Sequence, residues 1–253
     1  MARFGVIAEF ELKALWATKS TLVGQLFVEP LVYTALLAAG LQGLTGSSGG
    51  VDGLTYLTFA FPGILGLQAI RLFARSVYRS TVDRRWGLLA LKRLAGVGAL
   101  GYVLAMTVAP IVAFVVQTLV ATPVAILLDA EVSFGRWVGT VALGAAFLFF
   151  WTGFAIALTA YIRNYEQRDL VISLSLLPLT FSAPVFYSLG DLPPYMQIVG
   201  YVNPLSYQVI AMRSTFVGDT EPAALLVALL TSVLLVVVAT LSVARGELLG
   251  SEV

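Results

Sequence analysis

Apolar residues run through this chain in long blocks. No charged residue occurs from Leu94 to Leu128, from Trp137 to Ile162, from Leu170 to Gly190 or from Pro222 to Ala244. A helix rising about 1.5 Å per residue crosses the hydrocarbon core of a bilayer with roughly 20 residues, so each block is long enough to span. With two further blocks that carry a few charges, the pattern predicts six spans at about 21–43, 54–76, 98–121, 138–160, 170–187 and 223–244. The expected fold is an all-α polytopic membrane protein with no soluble domain between its spans.

The segments between the blocks have distinct characters. Residues 44–53 (LTGSSGGVDG) are Gly-rich and polar, as in a tight loop. Residues 1–20 place Phe4, Ile7, Ala14 and Leu15 near one helical face and Glu9 and Lys13 opposite, with Glu11 interrupting the apolar side. This predicts an interfacial helix lying on the membrane, with no cleaved signal peptide. Residues 80–96 read as a short helix, with Ser80 and Asp83 spaced as an N-terminal capping pair. Residues 188–218 are apolar enough for lipid but broken by Pro193, Pro194, Gly200 and Asn203-Pro204. Two short helices that enter and turn back fit such breaks better than a seventh span, with Asn203 as an N-cap and Pro204 as the first helical residue.

Composition reinforces the membrane assignment: 59% of the 253 residues are apolar and 11% charged, against about 25% charged in a soluble domain. The positive charges set an orientation. If the six spans hold, thirteen of the fifteen Lys and Arg fall on one face, leaving Arg136 and Arg213 on the other. Basic residues accumulate on the cytoplasmic side, so both termini are expected in the cytoplasm of a multi-pass protein of the cell's inner (plasma) membrane. The net charge of +1 offers nothing to nucleic acid.

The candidate chemistry is mostly negative. Cysteine and histidine are absent, which removes thiolate and imidazole catalysis and the usual nitrogen or sulfur metal ligands. No Gly is followed by Lys, so a conventional phosphate-binding loop is missing. Gly46, Ser48 and Gly50 match the nucleophile-elbow spacing, but without a histidine base they read as loop. No Lys or Asp lies at a span centre to build an intramembrane hydrolase.

Read from the residues alone, the 80–96 segment is either a protein-docking helix, with Arg84, Arg85 and Trp86 as anchors, or ordinary headgroup anchoring. The order DRRWGLLALKRLAG at 83–96, with SAPVFYSLGDLPPYMQIVGYVNPLSYQVIAMR at 182–213, resembles the permease subunits of ABC-2-type transporters. Where that family often has an acidic residue beside the glycine, this chain has Arg85 and Trp86 before Gly87.

The resemblance implies one ABC-2-type transmembrane domain over 1–253, a non-catalytic half-transporter. It would pair with a second permease copy or paralogue and sit on two copies of a P-loop ATPase, which would bind the ATP and Mg. The substrate would be a hydrophobic or amphipathic compound such as a drug, lipid or lipid-linked glycan, moved outward. Asp83, Arg84, Arg85, Trp86, Gly87 and Leu88 would then belong to the ATPase-coupling helix, and Pro193, Asn203, Pro204, Tyr207 and Arg213 to an extracellular gate. The path would run between the two permeases, along the first, second and fifth spans, with Glu29, Phe59, Phe61 and Arg71 as its candidate residues.

Ionisable groups inside spans are costly, about 2.5 to 3.5 kcal/mol each at mid-helix. Glu29, followed by Pro30, is the one acid so placed. It could meet a cationic substrate in the path, or pair with Arg71 or Arg75. Phe59 and Phe61 of the second span are either path-lining or packing residues. The alternative function, an ion- or proton-coupled transporter acting without an ATPase, normally needs paired ionisable groups near the midplane, and only Glu29 comes close.

Overall fold

The computed structural model describes residues 2–17, 23–38, 40 and 54–249. The predicted loop at 44–53, including the nucleophile-elbow match, lies outside them. The described chain is helical: α1 (Ala2–Ala17), an irregular α2 (Gly24–Val28, Glu29–Leu31 and Val32–Ala38), α3 (Tyr56–Arg85), α4 (Leu88–Leu94), α5 (Ala99–Leu127), α6 (Phe134–Leu158), α7 (Tyr165–Ser182), α8 (Pro194–Val202), α9 (Pro204–Val217) and α10 (Pro222–Leu249).

Four of these, α3, α5, α6 and α10, are long and apolar enough to cross a membrane. The other two predicted spans are not confirmed as such. Part of 21–43 is undescribed, and its described part is wound largely as π-helix on both sides of Pro30. Proline has no N–H to donate to the fourth preceding carbonyl, and its ring crowds that carbonyl, so the ladder loosens there. The fifth prediction, 170–187, is corrected in register. α7 starts at Tyr165, takes Glu166, Arg168 and Asp169 into its first turns, and stops at Ser182 before Ala183 and Pro184.

α3 is the bundle's axis, with most of its apolar window buried, whereas α10 is peripheral and largely open to the surroundings. Small residues set the closest approaches. A Cβ on Gly63 would lie 2.5 Å from the Val185 carbonyl oxygen, and one on Gly153 would lie 2.9 Å from the Leu235 carbonyl. Small residues let backbones in a lipid-embedded bundle approach closely, and at these two positions only glycine leaves the room. Phe73 fills the middle, stacked on Phe154 at 5.3 Å and edge-on to Trp151 at 5.9 Å.

The predicted break before residue 80 does not occur. α3 continues through Ser80 and Asp83 to Arg85: its one internal proline, Pro62, lies far back in the helix, and no proline or glycine stands between Ser76 and Gly87. Ser80 is not a cap; its hydroxyl is 2.8 Å from that of Thr159 on α6. The chain turns at Trp86 and Gly87, and Gly87 has φ +69°, a left-handed conformation that glycine adopts without cost. At the other end, α8 and α9 are short helices meeting at Asn203. The Asn203 side chain accepts from the Leu205 N–H at 2.9 Å, and Pro204 opens α9.

A candidate coupling surface and gate at opposite ends of α3

The arginine-rich end of the bundle is built around a buried ion cluster. Glu11 of α1, only 3% exposed, accepts two hydrogen bonds from Arg79 of α3, from Nε at 3.1 Å and from Nη2 at 3.0 Å. Lys92 of α4 donates to the same carboxylate at 3.0 Å and to Asp83 at 2.5 Å. Tyr102 of α5 also donates to Asp83, at 3.0 Å. Four helices therefore meet through two carboxylates, and Lys92 is the cation common to both. Burial pushes the Glu11 carboxyl up, but the hydrogen bonds and charges of Arg79 and Lys92 more than offset this and hold it below the ordinary glutamate value. The acid that interrupts the apolar face of α1 is thus the ion that fixes that face to the bundle.

Of the six residues predicted to couple to an ATPase, two point inward. Asp83 is fully buried in the ion cluster, so it is a tether and not a surface contact. Arg84 donates to the Ile156 carbonyl at 3.3 Å and to the Ser242 hydroxyl at 3.2 Å, joining α3 to α6 and α10. Arg85, Trp86 and Gly87 are exposed at the turn. Leu88 is half-buried and lines an apolar groove of about 380 Å³ between α1 and α4, together with Val6, Ile7, Phe10 and Leu91.

At the opposite end of α3 the predicted gate residues also converge. Arg213 of α9 donates to the Phe59 carbonyl at 2.9 Å, to Pro184 at 2.7 Å and to Val185 at 3.0 Å, and its guanidinium lies 3.7 Å from the Phe59 ring centre. Asn203 is buried and ties its turn to α7 through the Leu179 carbonyl at 2.7 Å and the Ser182 hydroxyl at 2.9 Å. Tyr207 donates to the Tyr201 carbonyl at 2.8 Å, across the α8–α9 corner. Pro193 and Pro204 stand at the starts of the two helices.

The residues 2–217 match the ABC-2 type transporter family. The chain belongs to that family. It is 24% identical over 236 residues to the inner membrane transport permease YadH of Escherichia coli (strain K12), and to the same permease of Shigella flexneri, covering 83% of this chain and 84% of the relative in each case. This permease is therefore a multi-pass inner-membrane protein and the membrane subunit of an ABC transporter, and membership of the family implies an ATPase partner.

The four path candidates of the permease separate into two pairs. Glu29 lies 3.3 Å from Arg71, which also donates to the Tyr33 hydroxyl oxygen and lies over that ring at 5.1 Å. Of the two possibilities for Glu29, pairing with an arginine is therefore present. Phe59 and Phe61 are both buried within the protomer, Phe59 under Arg213 and Phe61 against Phe216 at 5.6 Å, so packing, one of the two possibilities for them, is present. The residues that sequence reasoning missed are Glu11, Arg79, Lys92 and Tyr102. Glu11 was visible as a break in an apolar stripe, whereas its partners sit 68 and 81 positions away, beyond any local pattern.

Proposed function

We propose that this chain is the export permease of an ATP-binding-cassette transporter, moving a hydrophobic or amphipathic compound (drug, lipid or lipid-linked glycan) outward on energy supplied by a separate ATPase. Two permeases pair, and two ATPase subunits holding ATP and Mg dock at the arginine-rich end. That end faces the cytoplasm with both termini, and the α8–α9 corner is the extracellular gate.

The observation that carries this reading is the continuity of α3. One helix of 30 residues runs from the Arg213 clasp to the Trp86–Gly87 turn. A hinge at the membrane edge would absorb a push on the turn; a continuous helix bolted to α1, α4 and α5 by Glu11, Asp83 and Lys92 passes it to the gate.

The test is co-purification with a candidate P-loop ATPase from the same genome, each expressed with a different tag. The wild type retains the ATPase, and Arg85→Glu combined with Trp86→Ala loses it. Equal recovery of both, or gradient-driven solute accumulation by the permease alone in vesicles without nucleotide, overturns the proposal.

A further inference from the structure

Charge does not balance along α3. At about 100° per residue, Gln68, Arg71, Arg75 and Arg79 fall within an arc of about 80° on one face of the helix, and α1 and α2 meet that face. Two of the arginines are paired, Arg71 with Glu29 at 3.3 Å and Arg79 with Glu11 at 3.0 Å. Lys92 shares Glu11 and holds Asp83, so in this ladder four cations meet three carboxylates. The cation left over is Arg75. Among the described residues it has no carboxylate within ion-pair reach, and its one hydrogen bond, to Gln25 Oε1, is stretched to 3.5 Å.

Two neighbouring features suit an arriving ligand. Gln68 lies two turns from Arg75, away from the arginine-rich end. It is only 2% exposed, yet neither its amide oxygen nor its amide nitrogen has a hydrogen-bond partner among the described residues. An unpaired buried amide is costly until something supplies the missing bonds. The other feature is α2. Gln25 lies in a π-wound stretch, a winding frequent at functional sites, and its backbone is held separately, its carbonyl accepting from Gln117 of α5 at 2.8 Å. The Gln25 side chain can therefore release Arg75 without α2 losing that anchor.

The chemistry selects an anion. A guanidinium presents a planar fork of N–H donors that fits two oxygens of one phosphate or carboxylate. Arg75 is one residue from the predicted span edge at Ser76, and Val28 and Val32 of α2 are exposed beside Glu29, so a headgroup seated on Arg75 leaves an apolar chain in hydrocarbon. A cationic head would meet Arg75 with no acid to receive it, since Glu11 and Glu29 already hold arginines.

We propose that the face of α3 centred on Arg75, with Gln25 opposite and Gln68 deeper in the span, binds the anionic headgroup of the compound this permease moves. The substrate is an amphiphile carrying a phosphate or carboxylate. This rests on the export function proposed above and narrows its substrate class.

Phosphatidic acid and phosphatidylcholine carrying the same fluorescent nitrobenzoxadiazole chain differ only at the headgroup. Titrated into the purified permease in dodecyl maltoside and followed by anisotropy, phosphatidic acid is expected to bind about tenfold or more tightly, as charge-assisted bonds to one guanidinium allow. Arg75→Gln removes that preference, Arg75→Lys keeps part of it and Gln25→Ala does not weaken it, while all three elute as the wild type does on gel filtration. Equal affinity for the two lipids, or a preference that survives Arg75→Gln, overturns the site. A second arm separates a transported headgroup from a resident lipid. The permease is reconstituted in phosphatidylcholine vesicles with a candidate P-loop ATPase from the same genome facing outward, and dithionite, which bleaches label in the outer leaflet, reports movement. ATP should carry labelled phosphatidic acid out of its reach, and Arg75→Gln should abolish this. Arg75-dependent binding without ATP-dependent movement makes the ligand a resident lipid and overturns the substrate assignment. Movement of phosphatidylcholine but not phosphatidic acid overturns the anionic class and leaves export standing. Failure of the wild type to retain the ATPase overturns the export function itself, whatever the binding arm shows.

Discussion

Replacing Lys92 by Met tests whether the ion cluster holds the arginine-rich end together. Methionine fills nearly the same volume, so the change removes charge with little cavity. It takes from Asp83, which is fully buried, its ion partner at 2.5 Å, leaving the Tyr102 hydroxyl; Glu11 keeps both bonds from Arg79. Stranding one member of a buried pair costs about 3–5 kcal/mol, because the remaining charge stays desolvated without its counterion. If that cost is released by α1 and α4 letting go of α3, the open population rises roughly 100- to 5,000-fold. Ala8, buried on α1, is a suitable probe: in this cysteine-free chain Ala8→Cys is a unique thiol whose labelling rate follows the open fraction. Labelling is expected to accelerate by at least two orders of magnitude in Lys92→Met. Adding Asp83→Asn should recover most of the protection, since removing both charges of a buried pair is often close to neutral. Labelling at the wild-type rate in Lys92→Met, or no recovery in the double variant, refutes the idea that this ion pair is the fastening.

The same cluster has a pH dependence of known sign. The Glu11 carboxyl sits below its ordinary 4.5, so its contribution is present above that value and is lost as pH falls through the lowered folded value; Ala8→Cys labelling should stay slow to below about pH 4.5 and then rise, and Glu11→Gln should remove that rise. Gly87→Ala forces a side chain into φ +69° and should cost about 1–2 kcal/mol, read as a lower Tm in detergent and weaker ATPase recovery, whereas Gly98→Ala, in extended backbone at the start of α5, should leave both unchanged. Arg213→Gln removes a fork reaching three carbonyls, and with charged hydrogen bonds worth about 1.5–3 kcal/mol each it should lower Tm and increase proteolysis in 183–203; unchanged protection there would show that the clasp holds nothing.

Much of the fold is legible from charge-free length, because burying charge in lipid is expensive and the chain avoids it. The Asn203-Pro204 corner is legible for a different reason: a capping side chain and a residue lacking an N–H both suit the same helical start. The helix of residues 80–85 is misread because a hydroxyl followed three residues later by an acid also occurs inside helices. The first residue that compels a turn is Gly87, and the spacing of Ser80 and Asp83 carries no information about where Lys92 and Tyr102 stand. Arg213 illustrates a further limit. Its partners are backbone carbonyls of Phe59, Pro184 and Val185, and carbonyls are common to every residue, so no side-chain pattern could announce them. Trp86 and Arg85 stand out in the sequence as a large ring and a charge at a turn, but their attachment to Tyr165 depends on α6 and α7 returning the chain to the same end.

The single-piece build of α3 makes the helix a see-saw. Its 30 residues span about 45 Å, so pivoting by about 5° at mid-length around Phe73 and its aromatic neighbours would swing each tip by roughly 2 Å, in opposite senses. In the paired permease proposed above, drawing the tips at one end of two such beams together would spread the tips at the other, so opening to one side of the membrane and shutting to the other would become a single rigid movement that requires no helix to melt.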